Sequence, residues 1–236
     1  AAQIQNGTAT YKAQTVGKTT FTLVYTGTNS SFFPEQTKKD LTVNINPAEL
    51  TAEGDGSASG PYGNKLSELT VAGLTAKLGT AIIDGTWQID GDKVPYVGDS
   101  EIYTATFIPK EHPEYYQTLT AQVRLEISKA IAPKIRDLDL KYSWAAKGEK
   151  AVQIPGLPED LGKTVMTVIT REDSENILAA DSEVEYSEGK LIFTLGENTM
   201  EDITHSATIQ IVLGSQNYED IYVNITIHRT ERADRE

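Results

Sequence analysis

The sequence predicts an all-β protein made of small sandwiches, and three observations carry that expectation. Ordered-looking segments alternate apolar and polar residues with a period of two, the pattern of antiparallel strands with one face to a core and one to water. Clusters of Gly, Asn, Asp and Pro, such as Asp90-Gly91-Asp92 and Ser187-Glu188-Gly189-Lys190, separate them at short intervals. Two stretches also close in the same way. Phe32-Phe33-Pro34 leads through a polar turn to Leu41-Thr42-Val43-Asn44-Ile45 and Ala48; Tyr115-Tyr116-Gln117 leads to Val123-Arg124-Leu125-Glu126-Ile127 and Ala130, 82–83 residues later. A looser third copy runs from Asn217-Tyr218 through Ile221-Tyr222-Val223-Asn224-Ile225-Thr226-Ile227. Recurrence at domain-sized spacing predicts an array of like modules, each closed by one strand.

The elements follow in order. Thr20–Tyr25 puts Phe21, Leu23 and Tyr25 on one face, and Ile102–Phe107 does the same with Tyr103, Ala105 and Phe107. Leu191, Phe193 and Leu195 share a face, as do Ile209, Ile211 and Leu213, and then Ile221, Val223, Ile225 and Ile227. Boundaries fall where alternation stops. Asn46-Pro47-Ala48 follows one terminal strand, and proline cannot continue a central ladder. Ser128–Pro133 plays that part after the next. The expected division is the C-terminal half of a truncated module over 1–47, sandwiches over 48–130 and 131–230, and a linker or disordered tail over 231–236. Val16-Gly17-Lys18 aligns with Val97-Gly98-Asp99, which places 1–47 as a back half whose front lies upstream. Such a half exposes unpaired edges and is not expected to fold alone. The run from Arg229 to Glu236 reads as charged and aperiodic.

Composition narrows the function classes. Apolar residues make up 39% of the 236, enough for cores, and Thr, Val, Ile and Tyr favour strands. The net charge of −13 is unevenly spread: residues 1–47 are slightly basic, and 48–236 carry the whole acidic excess. An acidic surface repels phosphate backbones, so neither nucleic acid nor an anionic membrane is an expected partner. No apolar run reaches the roughly 18 residues of a spanning helix, and no signal-peptide pattern opens the chain. The absence of cysteine removes thiol nucleophiles and thiolate metal sites, and suits a cytosolic protein or a bacterial surface protein. Asn6-Gly7-Thr8, Asn29-Ser30-Ser31 and Asn224-Ile225-Thr226 match the glycosylation pattern, as Thr- and Asn-rich strands do by chance.

Several strings carry a resemblance. Tyr62-Gly63-Asn64-Lys65-Leu66-Ser67, Gly85-Thr86-Trp87, Val97-Gly98-Asp99-Ser100 and Tyr103–Pro109 stand in the middle module. Lys141-Tyr142-Ser143-Trp144, Leu157–Gly162 and Ser215–Asp220 stand in the last. The chain thereby resembles the tandem bacterial immunoglobulin-like repeats of Gram-positive, clostridial-type cell-surface proteins, well over 48–230 and partly over 1–47. Tyr115-Tyr116 departs from the Asn-Tyr usual in those repeats. The resemblance implies immunoglobulin-like sandwiches arranged end to end, on a cell surface or secreted. It implies a stalk or spacer without catalytic activity, or an adhesive module for a host glycan or matrix protein, with neighbouring repeats as further partners. Accessory domains of a secreted polysaccharide-degrading enzyme are the remaining alternative.

Chemistry is sparse. Trp87 and Trp144 are the candidate binding residues: each is a core or rim anchor, or a flat platform on which a sugar ring stacks. Gly85 and Gly98 read as turn glycines with positive φ. His112, His205 and His228, in two turns and at the end of the last strand, lack metal-ligand spacing, and neither His-Glu-x-x-His nor Gly-x-Ser-x-Gly occurs. A paired-acid glycosidase needs two carboxylates held across a cleft, which scattered turn acids do not provide. Glu53-Gly54-Asp55-Gly56 and Asp90-Gly91-Asp92 carry oxygen ligands on flexible loops but lack a full calcium set, so a solvated turn is the expectation. Gram-positive surface proteins also suggest a Lys–Asn cross-link; Lys65, on a strand-like segment, with Asn217 or Asn224 would be the candidates, and none is expected. No cofactor or metal is called for.

Overall fold

The computed structural model describes residues 3–5, 8–10, 15–24, 38–197 and 205–230, with the side chains of 3–10, 21–24 and 38–40 left aside. The expectations on Tyr25, Phe32-Phe33 and the 231–236 tail lie outside these residues. Among the described residues the elements are strands and two short 3-10 turns, at Leu66–Glu68 and Pro113–Tyr115. In the first half they are β1 (Gln3–Gln5), β2 (Thr8–Thr10), β3 (Gly17–Val24), β4 (Lys38–Ile45), β5 (Thr51–Glu53), β6 (Gly56–Pro61), β7 (Thr70–Ala72), β8 (Thr75–Leu78), β9 (Ala81–Ile82), β10 (Gly85–Gln88), β11 (Ile102–Pro109) and β12 (Thr120–Ser128). The second half holds β13 (Leu138–Tyr142), β14 (Gly148–Gln153), β15 (Thr164–Glu172), β16 (Glu185–Ser187), β17 (Lys190–Leu195), β18 (His205–Ser215) and β19 (Ile221–Arg229). Sheet orders are β10-β11-β12-β6-β7, β5-β8-β9, β13-β19-β18-β15 and β14-β17-β16, beside the pairs β1-β2 and β3-β4.

The chain divides into two compact units, Ala1–Ala58 with Leu69–Gly91 and Ser100–Leu125, and Ser59–Glu68 with Asp92–Asp99 and Glu126–Glu236. In the second unit, the described residues of β13 to β19 form two sheets over one core. Alternation puts Leu191, Phe193 and Leu195 of β17 against Ala207, Ile209, Ile211 and Leu213 of β18 and Ile221, Val223, Ile225 and Ile227 of β19, all buried. Each such side chain removed from water contributes about 1.5–3 kcal/mol. β13 runs parallel to β19, from Leu138 opposite Ile225 to Tyr142 opposite Arg229, while the other pairs are antiparallel. Two facing sheets with the first strand laid along the last define an immunoglobulin-like sandwich. Ser187-Glu188-Gly189-Lys190 closes the β16–β17 hairpin with Glu188 and Gly189 at positive φ, as a two-residue turn requires.

In the first unit, Leu50, Ala76 and Phe107 form a small buried cluster, backed by half-buried Ile83, Trp87, Tyr116 and Leu119. Gly54 and Gly73 let two turns touch: a Cβ on Gly54 would lie 2.1 Å from the Gly73 carbonyl oxygen, and one on Gly73 2.2 Å from that of Asp55. Close backbone approach therefore explains the glycine in Glu53-Gly54-Asp55. Gly85 corrects the sequence reading. It opens β10 without positive φ, and a Cβ there would meet the Ile108 carbonyl oxygen at 2.4 Å and the Phe107 ring at 2.5 Å. Gly98, with φ of +85°, is a turn glycine as expected.

The recurring alanines have a structural counterpart. The Ala48 N–H donates to the Tyr115 carbonyl at 2.7 Å, and the Gln117 N–H to the Ala48 carbonyl at 2.8 Å. The Ala130 N–H donates to the Asn217 carbonyl at 2.9 Å, and the Glu219 N–H to the Ala130 carbonyl at 2.9 Å. Each alanine thus makes one parallel bridge, to Tyr116 or to Tyr218.

Candidate functional site

The region round Trp144 is assembled by a buried cation. The alternation of β19 carries on past Ile225 and Ile227, so Arg229 points inward and is only 1% exposed. Its Nη1 donates to the Trp144 carbonyl at 3.5 Å, and its Nη2 to the carbonyls of Ala146 at 2.5 Å and Gly196 at 2.6 Å. One guanidinium therefore ties the Ser143–Ala146 turn to the residues after β17. Burial pulls its pKa down from the ordinary arginine value, and Asp173 pulls it back up. A fork of donors suits this task, because Arg stays charged while satisfying several carbonyls. The reading of Arg229 as the start of a solvated tail is thus corrected.

Beside Arg229 in register on β18 is His205, 2% exposed. Its Nδ1 lies 2.6 Å from Glu175 Oε2. His205 opens a long strand, where the sequence suggested a turn; its phase with Ala207 and Ile209 faces it inward. Arg229 Nε and His205 Nε2 have no hydrogen-bond partner among the described residues.

Outside this scaffold, Trp144, Ala145, Ala146, Lys147 and Glu197 line a hollow of about 390 Å³. Lys147 Nζ pairs with Glu197 Oε1 at 3.2 Å, and Lys150 Nζ donates to the Lys147 carbonyl at 3.0 Å. The arrangement offers a half-buried indole next to an exposed ion pair, hence one flat apolar wall and several hydrogen-bonding groups. Trp87 has a different setting. It is half-buried, and its ring lies 5.2 Å from that of Phe107 at 49°, against the Leu50 cluster. The two tryptophans lie in different units.

The other candidates are dispersed. His112 stacks on Tyr115 at 4.5 Å, and His228 Nε2 lies 3.1 Å from Asp139. Lys65 precedes a 3-10 turn rather than lying on a strand, and its Nζ contacts Asp92 Oδ1 at 2.9 Å on the surface. Asn224 donates to Asp137 Oδ1 at 3.0 Å and accepts from Gln210 at 2.9 Å. Among the described residues no three metal-binding side chains gather, and no helix is long and apolar enough to cross a membrane.

No protein-family profile and no curated sequence matches the chain. Among solved structures it is similar to mouse clustered PcdhgC3 EC1-3, at 15% identity over 61% of this chain and 50% of that one, with a TM-score of 0.33. Drosophila N-cadherin EC1-4 matches at 12% identity over 97% and 64%, with a TM-score of 0.32. Titin-A168169 matches at 7% over 76% and 99%, with a TM-score of 0.33. The chain spans half the length of the first of these. Scores of this size define no family, and the immunoglobulin-like class rests on the strand order given above.

Proposed function

We propose that this chain is a structural repeat region, a stalk or spacer, of an extracellular bacterial surface protein of the Gram-positive type. Its modules are 48–130 and 131–230, preceded by the back half of another. No residue has a catalytic role in this reading, and nucleic acid is not a partner. The observation that carries it is the parallel pairing of β13 with β19. The polypeptide enters module 131–230 just before β13 and leaves it after β19. Tension on the two ends pulls parallel strands in opposite directions along the ladder. Its slanted hydrogen bonds are then sheared together rather than peeled one by one. Forced unfolding is governed by that barrier, not by equilibrium stability, which suits a load-bearing spacer.

The test is single-molecule pulling on the chain from its two ends, with Asp139→Pro and Leu140→Pro variants. Neighbouring residues of a parallel strand alternate as ladder donors, so one of the two removes a hydrogen bond. That variant unfolds at lower force. Wild-type force in both would show that β13 bears no load, and the stalk reading would fall.

A second reading is favoured by one observation, the Trp144 hollow with its Lys147–Glu197 pair. It makes the region adhesive toward a host glycan or matrix protein. A glycan and matrix-protein array probed with the wild type and with Trp144→Ala separates the readings. A specific signal lost in the variant establishes adhesion, and silence across the panel leaves the spacer.

A further inference from the structure

The sheet β13-β19-β18-β15 ends on β15, which among the described residues pairs with β18 alone. An edge strand presents a row of backbone N–H and C=O groups to any strand that can lie beside it. Proteins blunt such edges by keeping them short or by placing proline on them. β15 is nine residues long, carries no proline, and leaves Val165 73% and Ile169 46% exposed. Its edge is open to pairing.

The strand has two faces, and a bulge shifts their phase. Thr164, Met166 and Val168 lie opposite Ser215, Leu213 and Ile211, with Met166 and Val168 packed on the core. Val168 is then opposite Ile211 and Thr170 opposite Gln210, so Ile169 is the extra residue. Beyond it Arg171 turns inward opposite Ile209, and its guanidinium donates to the carbonyls of Ser182 at 2.8 Å and Ala179 at 3.3 Å. The outward residues are therefore Val165 and Thr167 before the bulge, and Thr170 and Glu172 after it. Alternation carried one step back from Thr164 puts exposed Lys163 on that outer face as well. Lys163 and exposed Glu172 thus mark its two ends, with no charged residue between them.

A second β15 can lie antiparallel to the first with both faces matched, provided that each Ile169 is passed over as it is against β18. Of the registers this allows, the one centred on Thr167 sets Lys163 opposite Glu172 at both ends. Thr167 then meets Thr167, Met166 meets Val168, Val165 meets Thr170, and Thr164 meets Arg171. Inward residues oppose inward ones throughout, and outward residues oppose outward ones. Threonine pairs and opposite charges are favourable cross-strand neighbours, and the two-fold axis makes each unlike pair twice. We propose that β15 is a self-association edge, through which two copies of this chain join their β13-β19-β18-β15 sheets by antiparallel β15–β15 pairing centred on Thr167. This goes beyond the spacer reading, does not rest on it, and concerns the second unit alone.

Sedimentation velocity of the full chain over a concentration series reads the association, with monomer passing to dimer as concentration rises. Lys163→Glu and Glu172→Lys each set like charges face to face at both ends, and each weakens the dimer about tenfold. The double variant Lys163→Glu/Glu172→Lys keeps the net charge, reverses both pairs and restores the wild-type affinity. The chain has no cysteine, so Thr167→Cys places a single thiol per copy on the axis. Opposed residues of an antiparallel pair lie about 5 Å apart at Cα, within reach of a disulfide. Thr167→Cys therefore cross-links into a dimer under a mild oxidant, whereas Thr208→Cys, on the next strand of the sheet, does not. A chain that stays monomeric at every concentration leaves the edge to some other strand and overturns the proposal. So does a dimer indifferent to both single reversals, a double variant as weak as the singles, or cross-linking as ready at Thr208→Cys as at Thr167→Cys.

Discussion

The bridges at Ala48 and Ala130 share their two backbone hydrogen bonds and a tyrosine packed on the neighbouring core, and differ in the side chains that precede it. At Ala130 the following loop has Ser215, Gln216 and Asn217 turned inward, each with at least two partners, and Tyr218 laid against Tyr62. At Ala48 the corresponding side chains are used within their own turn, on His112. Backbone pairing of this kind tolerates almost any side chain, so it occurs at both alanines. The finishing contacts need particular amides and hydroxyls, and they differ between the two bridges.

The largest expected effect is Tyr218→Ala, which opens a hole beside the second-unit core and removes the ring from Tyr62. It should cost about 3 kcal/mol in urea unfolding, more than Tyr116→Ala at the equivalent place. Equal costs would erase the distinction between the two bridges. Ser215→Ala comes next at about 1–2 kcal/mol, because it leaves the Tyr218 N–H without its acceptor and takes one bond each from the Leu161 carbonyl and the Asn217 N–H, which still pair with each other at 3.3 Å. A cost below about 0.5 kcal/mol would mean that water replaces the hydroxyl freely.

Alkaline pH acts on the second unit through Tyr62, Tyr142 and Tyr186, whose pKa values are all raised above 10.0 by burial. Above pH 10 the unfolded chain releases these protons while the folded chain keeps them. The unfolded state then binds fewer protons, and stability falls as pH rises through the folded-state values. Below pH 10 this contribution is fully present. Melting temperature should drop on this limb and drop less in Tyr142→Phe; a flat profile would contradict the burial of these phenols. The smallest effect belongs to His112→Ala, which touches only the exposed stack on Tyr115 and the contact with Glu114 near the Ala48 bridge, and should change stability by less than about 0.5 kcal/mol.

Much of the fold was legible because the strands of the second half alternate strictly. The inward faces of β17, β18 and β19 follow from phase alone, and that phase also accounts for two residues misread as surface. His205 and Arg229 lie in step with the apolar residues beside them, so extending the pattern by one position would have placed them inside. Their charge obscured it, since burial of an arginine depends on carbonyls from distant turns. The 3-10 turn at Leu66–Glu68 was taken for strand, although Glu68 three residues after Lys65 is the spacing with which a carboxylate caps a turn, and its Oε2 accepts the Lys65 N–H at 2.8 Å. The repeated alanines were visible, but not their parallel bridges, whose partners lie about 70–90 residues further along the chain. Trp87 and Trp144 were singled out together, and only their surroundings separate an indole stacked on Phe107 from one beside a hollow.

The load-bearing account is tested most directly by the direction of pull. Handles at Ile131→Cys and Thr230→Cys load β13 against β19 along their length, whereas handles at Ser206→Cys and Thr230→Cys peel β18 from β19 starting at one end. The account predicts that the first geometry unfolds at clearly higher force than the second in the same molecule. Equal forces, or a weaker end-to-end response, would contradict it.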